Sequence, residues 1–167
     1  MGADPPTPLI VHGWTIHAHP LFLAQGEALA RPVESFKPKD PTGYVRKNAS
    51  KRLAAILKLA FDGIPHDPTR PAYRQGGTLG ADRQHGFRAK FFQPYRLFFR
   101  YHAASQVIVL AWVNDEDSQR AHQSGDDAYR VFRKMLESGH PPDDWNRLLA
   151  EARTEVQRLR RWAEAGE

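Results

Sequence analysis

The chain has 167 residues, with 24 Lys and Arg against 19 Asp and Glu, a formal charge of +5 and a pI near 9.7. That length supports one packed domain burying about two-thirds of its unfolded surface, and the charge favours phosphate-rich or acidic partners. The lack of cysteine excludes disulfides and thiolate chemistry, no apolar run approaches the roughly 20 residues that span a bilayer, and the opening MGADPPTP has neither region of a secretory signal; a cytoplasmic protein without membrane contact is expected.

In chain order, residues 1–8, with three prolines, predict a disordered lead-in, and residues 9–167 a single domain. Leu9 to Ile16 predicts one short strand. Pro20 suits a first helical position, Leu21, Phe22, Leu29 and Val33 give that helix an apolar face, and Pro32 should kink or end it. Lys37 to Gly43 is rich in turn formers and predicts a connector. Leu53, Ile56, Leu57, Ala60 and Phe61 repeat at helical spacing within a helix from Asn48 to Asp62, stopped by Gly63 and Pro65. His66 to Gly86 is a long Pro- and Gly-rich connection, the kind of loop that often serves function. Three strands follow, Phe87 to Phe91, Tyr95 to His102 and Gln106 to Val113. Ala128, Val131, Phe132, Met135 and Leu136 stripe a helix ended by Gly139, and a final helix runs from Trp145 to about Ala163. This order predicts an α+β fold: an antiparallel sheet with the N-terminal helices on its apolar face, additional C-terminal helices, and the opposite face left for function.

The hairpin FRAKFFQPYRLFFRYH holds concentrated charge among aromatics, so its register decides what the charges mean. A two-residue loop would set Lys90 against Leu97 and mix charge with apolar side chains on both faces. A three-residue loop, Phe92 to Pro94, sets Lys90 opposite Arg96 and Arg88 opposite Phe98. Phe87, Ala89, Phe91, Tyr95, Leu97, Phe99 and Tyr101 then share one face, and Arg88, Lys90, Arg96, Phe98 and Arg100 the other. Burying an unpaired charge costs more than a less common turn, which selects the second register.

Five stretches in order, HGWTIHAHP, FRAKFFQPYRLFFRYH, WVNDED, DAYRVFRKML and SGHPPDDW, resemble the YhaV family of toxins from bacterial toxin–antitoxin systems, over roughly Val11 to Trp145. The resemblance implies a RelE-like fold, endoribonuclease action on mRNA at the ribosome, and neutralisation by a PrlF-type antitoxin. It further implies metal-independent cleavage with no cofactor, in which the substrate's 2′-hydroxyl attacks the neighbouring phosphate. The turn at Gln93-Pro94 is shorter than is usual in such toxins, and the arginine-rich final helix is longer.

That reaction needs a base, cations for the charge growing on phosphorus, and an acid for the leaving oxygen. Arg88 and Arg96 suit the cationic task, because guanidinium matches phosphate and stays protonated. Lys90 is the base candidate, since neighbouring cations push a lysine towards its neutral form. Arg120 and Tyr129 match the active-site Arg and Tyr of the wider RelE-like group; Tyr129 serves equally as a rim residue of its helix core. Arg100, His102 and Arg83 are RNA-binding candidates, His102 also a secondary acid. Asn114, Asp115 and Glu116 are placed to cap or orient the site. His17 and His19 lie two apart, a formal ligand spacing, but no third ligand is near in sequence and no metal site is expected. Two rivals share the positive face: a non-catalytic RelE-fold inhibitor that binds a protein target, and a basic RNA-binding module.

Overall fold

A computed structural model describes residues 7–74, 86–92, 95–114 and 125–165. It is α+β, as expected. The strands are β1 (Leu9–Val11), β2 (Trp14–Ala18), β3 (Phe87–Phe91), β4 (Tyr95–His102) and β5 (Val107–Val113), ordered β1-β2-β5-β4-β3. Every pairing is antiparallel except that of β2 with β5.

The expected single strand from Leu9 to Ile16 is a hairpin instead. His12 and Gly13 both take positive φ, 51° and 84°, the two-residue turn whose twist suits paired strands. Its second strand reaches the centre of the sheet beside β5. The helices are α1 (Pro20–Lys39), α2 (Asn48–Lys58), α3 (Gly125–Ser138), α4 (Trp145–Arg153) and α5 (Val156–Ala165). Pro32 does not end α1, which runs through Pro38 and absorbs the start of the expected connector. After α2 the chain widens to π spacing over Leu59–Gly63 and makes a last helical turn at Ile64–His66. The expected stop at Gly63 thus comes a few residues later. The expected final helix breaks at Thr154 and Glu155.

That break lets the C-terminal chain serve two cores. Leu148 and Ala152 of α4 pack on Val107 and Val109. Leu159 and Trp162 of α5 instead join the core formed by α1, α2 and the opposite sheet face, with Phe22, Ile56, Leu97, Phe99 and Leu110. The face expected to stay open is therefore mostly covered. Phe132 and Leu136 of α3 cover Phe98 and Trp112, and burying a Phe side chain in this way contributes about 2 kcal/mol. An irregularity between Phe98 and Phe99 helps: Phe98 faces Trp112 while Phe99 faces Leu110. Ala111 is the extra residue, and it joins Trp112 on the α3 side.

Candidate active site

The β3–β4 ladder pairs Phe87 with Phe99, Arg88 with Phe98, Ala89 with Leu97, Lys90 with Arg96 and Phe91 with Tyr95. The loop is thus the three-residue one, with Phe92 in the left-handed region at φ 46°. Lys90 is exposed and Arg96 half-buried. Directly opposed side chains have Cβ atoms about 4.5–5.5 Å apart, and like charges so placed destabilise the ladder. An anion held between them removes that repulsion.

Arg96 is positioned from the backbone. Its N–H donates to Oδ1 of Asn114 at 2.5 Å, the Asn114 N–H returns to the Arg96 carbonyl at 3.3 Å, and its own Nη1 donates to the Tyr95 carbonyl at 2.9 Å. Asn114 is fully buried. One residue earlier, β5 has passed the end of β2, and the Gln25 side chain of α1 takes the missing strand's place: it donates to the Val113 carbonyl at 2.5 Å and accepts the Val113 N–H at 3.1 Å. Sequence reasoning named Asn114 in an orienting role and missed Gln25. No local pattern marks a glutamine 88 residues away from its partner.

The other cations are drawn away from this pair. Arg88 reaches over the sheet edge, its Nη1 donating to the Ala72 carbonyl at 2.5 Å. Arg100 lies four residues beyond Arg96, about 13 Å along the strand. Its Nη1 donates to the Asp143 carbonyl and its guanidinium stands 5.5 Å from the Trp145 ring. Burial lowers its pKa, against the pull of Asp143 and Asp144. It thereby ties the segment between α3 and α4 to the sheet. His102 lies a further two residues on, exposed, stacked on Trp145 at 6.0 Å, with Nδ1 2.7 Å from the Ser105 hydroxyl. Arg52 of α2 stacks on the Tyr95 ring at 4.6 Å and joins the helical layer to the start of β4.

Arg83 and Arg120 lie outside the described residues, as does the side chain of Tyr129. The backbone of Tyr129 is in the first turns of α3. Phe132 sits on Phe98 at 4.3 Å, and Phe132 and Leu136 together line a small cavity beside Arg100.

His17 and His19 have structural roles. His19 caps α1, its Nδ1 accepting the Leu21 N–H at 3.2 Å while Nε2 meets Glu151 at 3.3 Å. His17 is buried in the sheet. Burial lowers the pKa of both, with Arg153 adding to the effect at His17 and Glu151 opposing it at His19. Among the described residues no three His, Asp or Glu side chains converge on a point that would hold a metal ion, and no helix is long and apolar enough to cross a membrane.

Residues 16–153 match the YhaV toxin family, described as toxins with endonuclease activity, of toxin–antitoxin systems. The chain belongs to the YhaV toxin family. It is 45% identical over 146 residues to the ribonuclease toxin YhaV of Escherichia coli K12, covering 86% of this chain and 95% of that one. The same figures relate it to the toxins YhaV of E. coli O157:H7 and of E. coli O6:H1. No solved structure matches the chain. The YhaV match spans β2 to α4, and so includes Gln25, Lys90, Arg96 and Asn114.

Proposed function

We propose that this YhaV toxin is a metal-independent endoribonuclease that cuts mRNA on the ribosome in the cytoplasm and is held inactive by a PrlF-type antitoxin. The observation that carries the reading is the direct opposition of Lys90 and Arg96 at the uncovered end of the hairpin. Lys90 Nζ takes the proton of the 2′-hydroxyl, and the 2′-oxygen bonds to the adjacent phosphorus. The bond from phosphorus to the 5′-oxygen breaks, and that oxygen takes a proton as it leaves. The products are a 2′,3′-cyclic phosphate and a 5′-hydroxyl end. Arg96, its strand held by Asn114, stabilises the charge on the phosphoryl oxygens. Arg88, two pairs along and turned over the sheet edge to Ala72, contacts the RNA strand beyond the scissile phosphate.

Arg120 and Tyr129 complete the site in this reading, the first as a phosphate ligand and the second as a partner for a base or sugar. His102 is about 20 Å along β4 from Arg96, at roughly 3.3 Å per residue, and so contacts RNA away from the scissile phosphate and does not protonate the leaving oxygen. Arg83 joins it as an outlying RNA contact, whereas Arg100 acts through the segment it tethers.

Purified toxin given naked RNA, and separately translating ribosomes, with and without a chelator, tests the reading. Cyclic-phosphate ends formed in chelator, with faster cutting on ribosomes, are expected. Chelator-abolished cleavage overturns the metal-free mechanism, and uncut transcripts with intact growth arrest favour a binding-only inhibitor. Lys90→Arg separates charge from proton transfer, because arginine keeps the cation but does not act as a base.

A further inference from the structure

The layer remote from Lys90 carries a second feature. Val33, Lys37, Tyr44, Val45, Ser50 and Leu53 surround a hollow of ≈ 220 Å³ between α1 and α2. On the other side of α2, Leu9, Val11, Lys58, Phe61 and Ala163 surround one of ≈ 490 Å³. Ala54 and Leu57 line both, so the two form one groove across α2. Val45 at its mouth is 53% exposed. Within the first hollow Ser50 is only 7% exposed, and its hydroxyl has no hydrogen-bond partner among the described residues.

From the end of α1 through α2 the charge is mainly of one sign. Residues 37–58 contain seven Lys and Arg and one acid, Asp40. The exposed Asp40 carboxylate accepts the Gly43 N–H at 3.0 Å. Lys37 and Lys47 lie over the rings of Tyr44 and Phe36 at 5.5 and 5.7 Å, which holds their ammonium groups beside the apolar floor.

We propose that this groove is the anchoring surface for the antitoxin, and that its occupant is an acidic amphipathic segment. Apolar side chains fill the two hollows, and carboxylates lie along Lys37, Lys47 and Lys58. RNA would satisfy the lysines but leave the apolar floor unfilled, so a peptide fits better than a phosphate backbone. The inference rests on the chain being a toxin with a protein antitoxin, and it adds where that protein docks. Because α2 packs on the sheet face opposite Lys90, the groove supplies affinity without touching the reacting groups.

Val45→Glu and Ala54→Glu place acids on exposed positions of the groove and put like charge against the segment. The probe is the cognate antitoxin, taken as the protein whose co-expression restores growth to toxin-expressing cells. Each variant is expected to bind it about tenfold or more weakly in calorimetry, as truncated anchor contacts do, and to escape its rescue. RNA cleavage by the variants alone should stay within about twofold of the parent, as for surface changes away from a site. Antitoxin affinity unchanged in both variants overturns the proposal. So does loss of RNA cleavage with antitoxin affinity intact, which assigns the groove to RNA. If the parent cuts no RNA while the variants still lose antitoxin affinity, the nuclease reading fails and the docking surface stands.

Discussion

The side-chain oxygen of Asn114 accepts the backbone N–H of Arg96 at 2.5 Å, and the Asn114 N–H reaches back to the Arg96 carbonyl at 3.3 Å. A buried asparagine thus fixes where the Arg96 strand begins. Asn114→Ala leaves polar groups at this junction without their partner, which costs about 1–3 kcal/mol, and Tm falls by roughly 2–4 °C for each kcal/mol in a chain of this size. A positioning role predicts more. At a temperature where the variant is folded, kcat for RNA cleavage should drop about tenfold for a misplacement of the arginine, whereas a purely structural role leaves kcat of the folded protein unchanged.

In the proposed site, Lys90 and Arg96 set function against stability. Two cations directly across a ladder cost about 0.2–1 kcal/mol, so Lys90→Ala should raise Tm slightly while cleavage falls by about 100-fold, the usual contribution of a positioned base. Thermal melts beside a cleavage assay make the comparison. A drop in Tm with activity retained would show that Lys90 is an ordinary surface residue.

The register behind that pair was legible in FRAKFFQPYRLFFRYH because one alternative buried charge and the other did not. The same reasoning overreached at the sheet's second face. Phe98 among the arginines, and VIVLAWV as an unbroken apolar run, mark strands covered on both sides, which the stripes of α3 and α4 then supply. The β1–β2 hairpin was hidden because His12 took the left-handed turn position that asparagine more often fills. The break at Thr154 and Glu155 carries no proline or glycine, and only the need to reach Phe22 and Gly26 on α1 explains it. Gln25 and Arg52 were illegible for a common reason: each acts on a strand far away in sequence.

Gly26 reports on that same α5 contact. A Cβ at this position would stand 2.5 Å from Cε2 of Trp162, a ring locked edge-on against Phe22 at 5.5 Å. Alanine is favoured over glycine in a helix by about 1 kcal/mol, but overpacking a core costs about 1–3 kcal/mol. Gly26→Ala is therefore expected to lower the urea midpoint and to shift Trp162 fluorescence, with cleavage by the folded protein unaffected. An unchanged or higher midpoint would mean that α5 moves aside freely.

His17 and His19 give the fold an acid limit. Both have pKa values below the ordinary 6.5, with burial as the leading cause; Arg153 adds to it at His17, and at His19 the Glu151 carboxylate opposes it while His140 reinforces it. The unfolded chain then binds protons at these sites more readily than the folded one, so stability rises with pH where the two differ. Their contribution is complete above the unfolded value of 6.5 and is lost as pH falls through it towards the lower folded values. Urea unfolding followed from about pH 8 to about pH 5 should show the midpoint level at first and then falling below neutrality, on the linkage argument. His17→Phe removes one of the two groups and should flatten that fall, and a parent profile that stays level into the acid range would show that the two imidazoles accept protons in place.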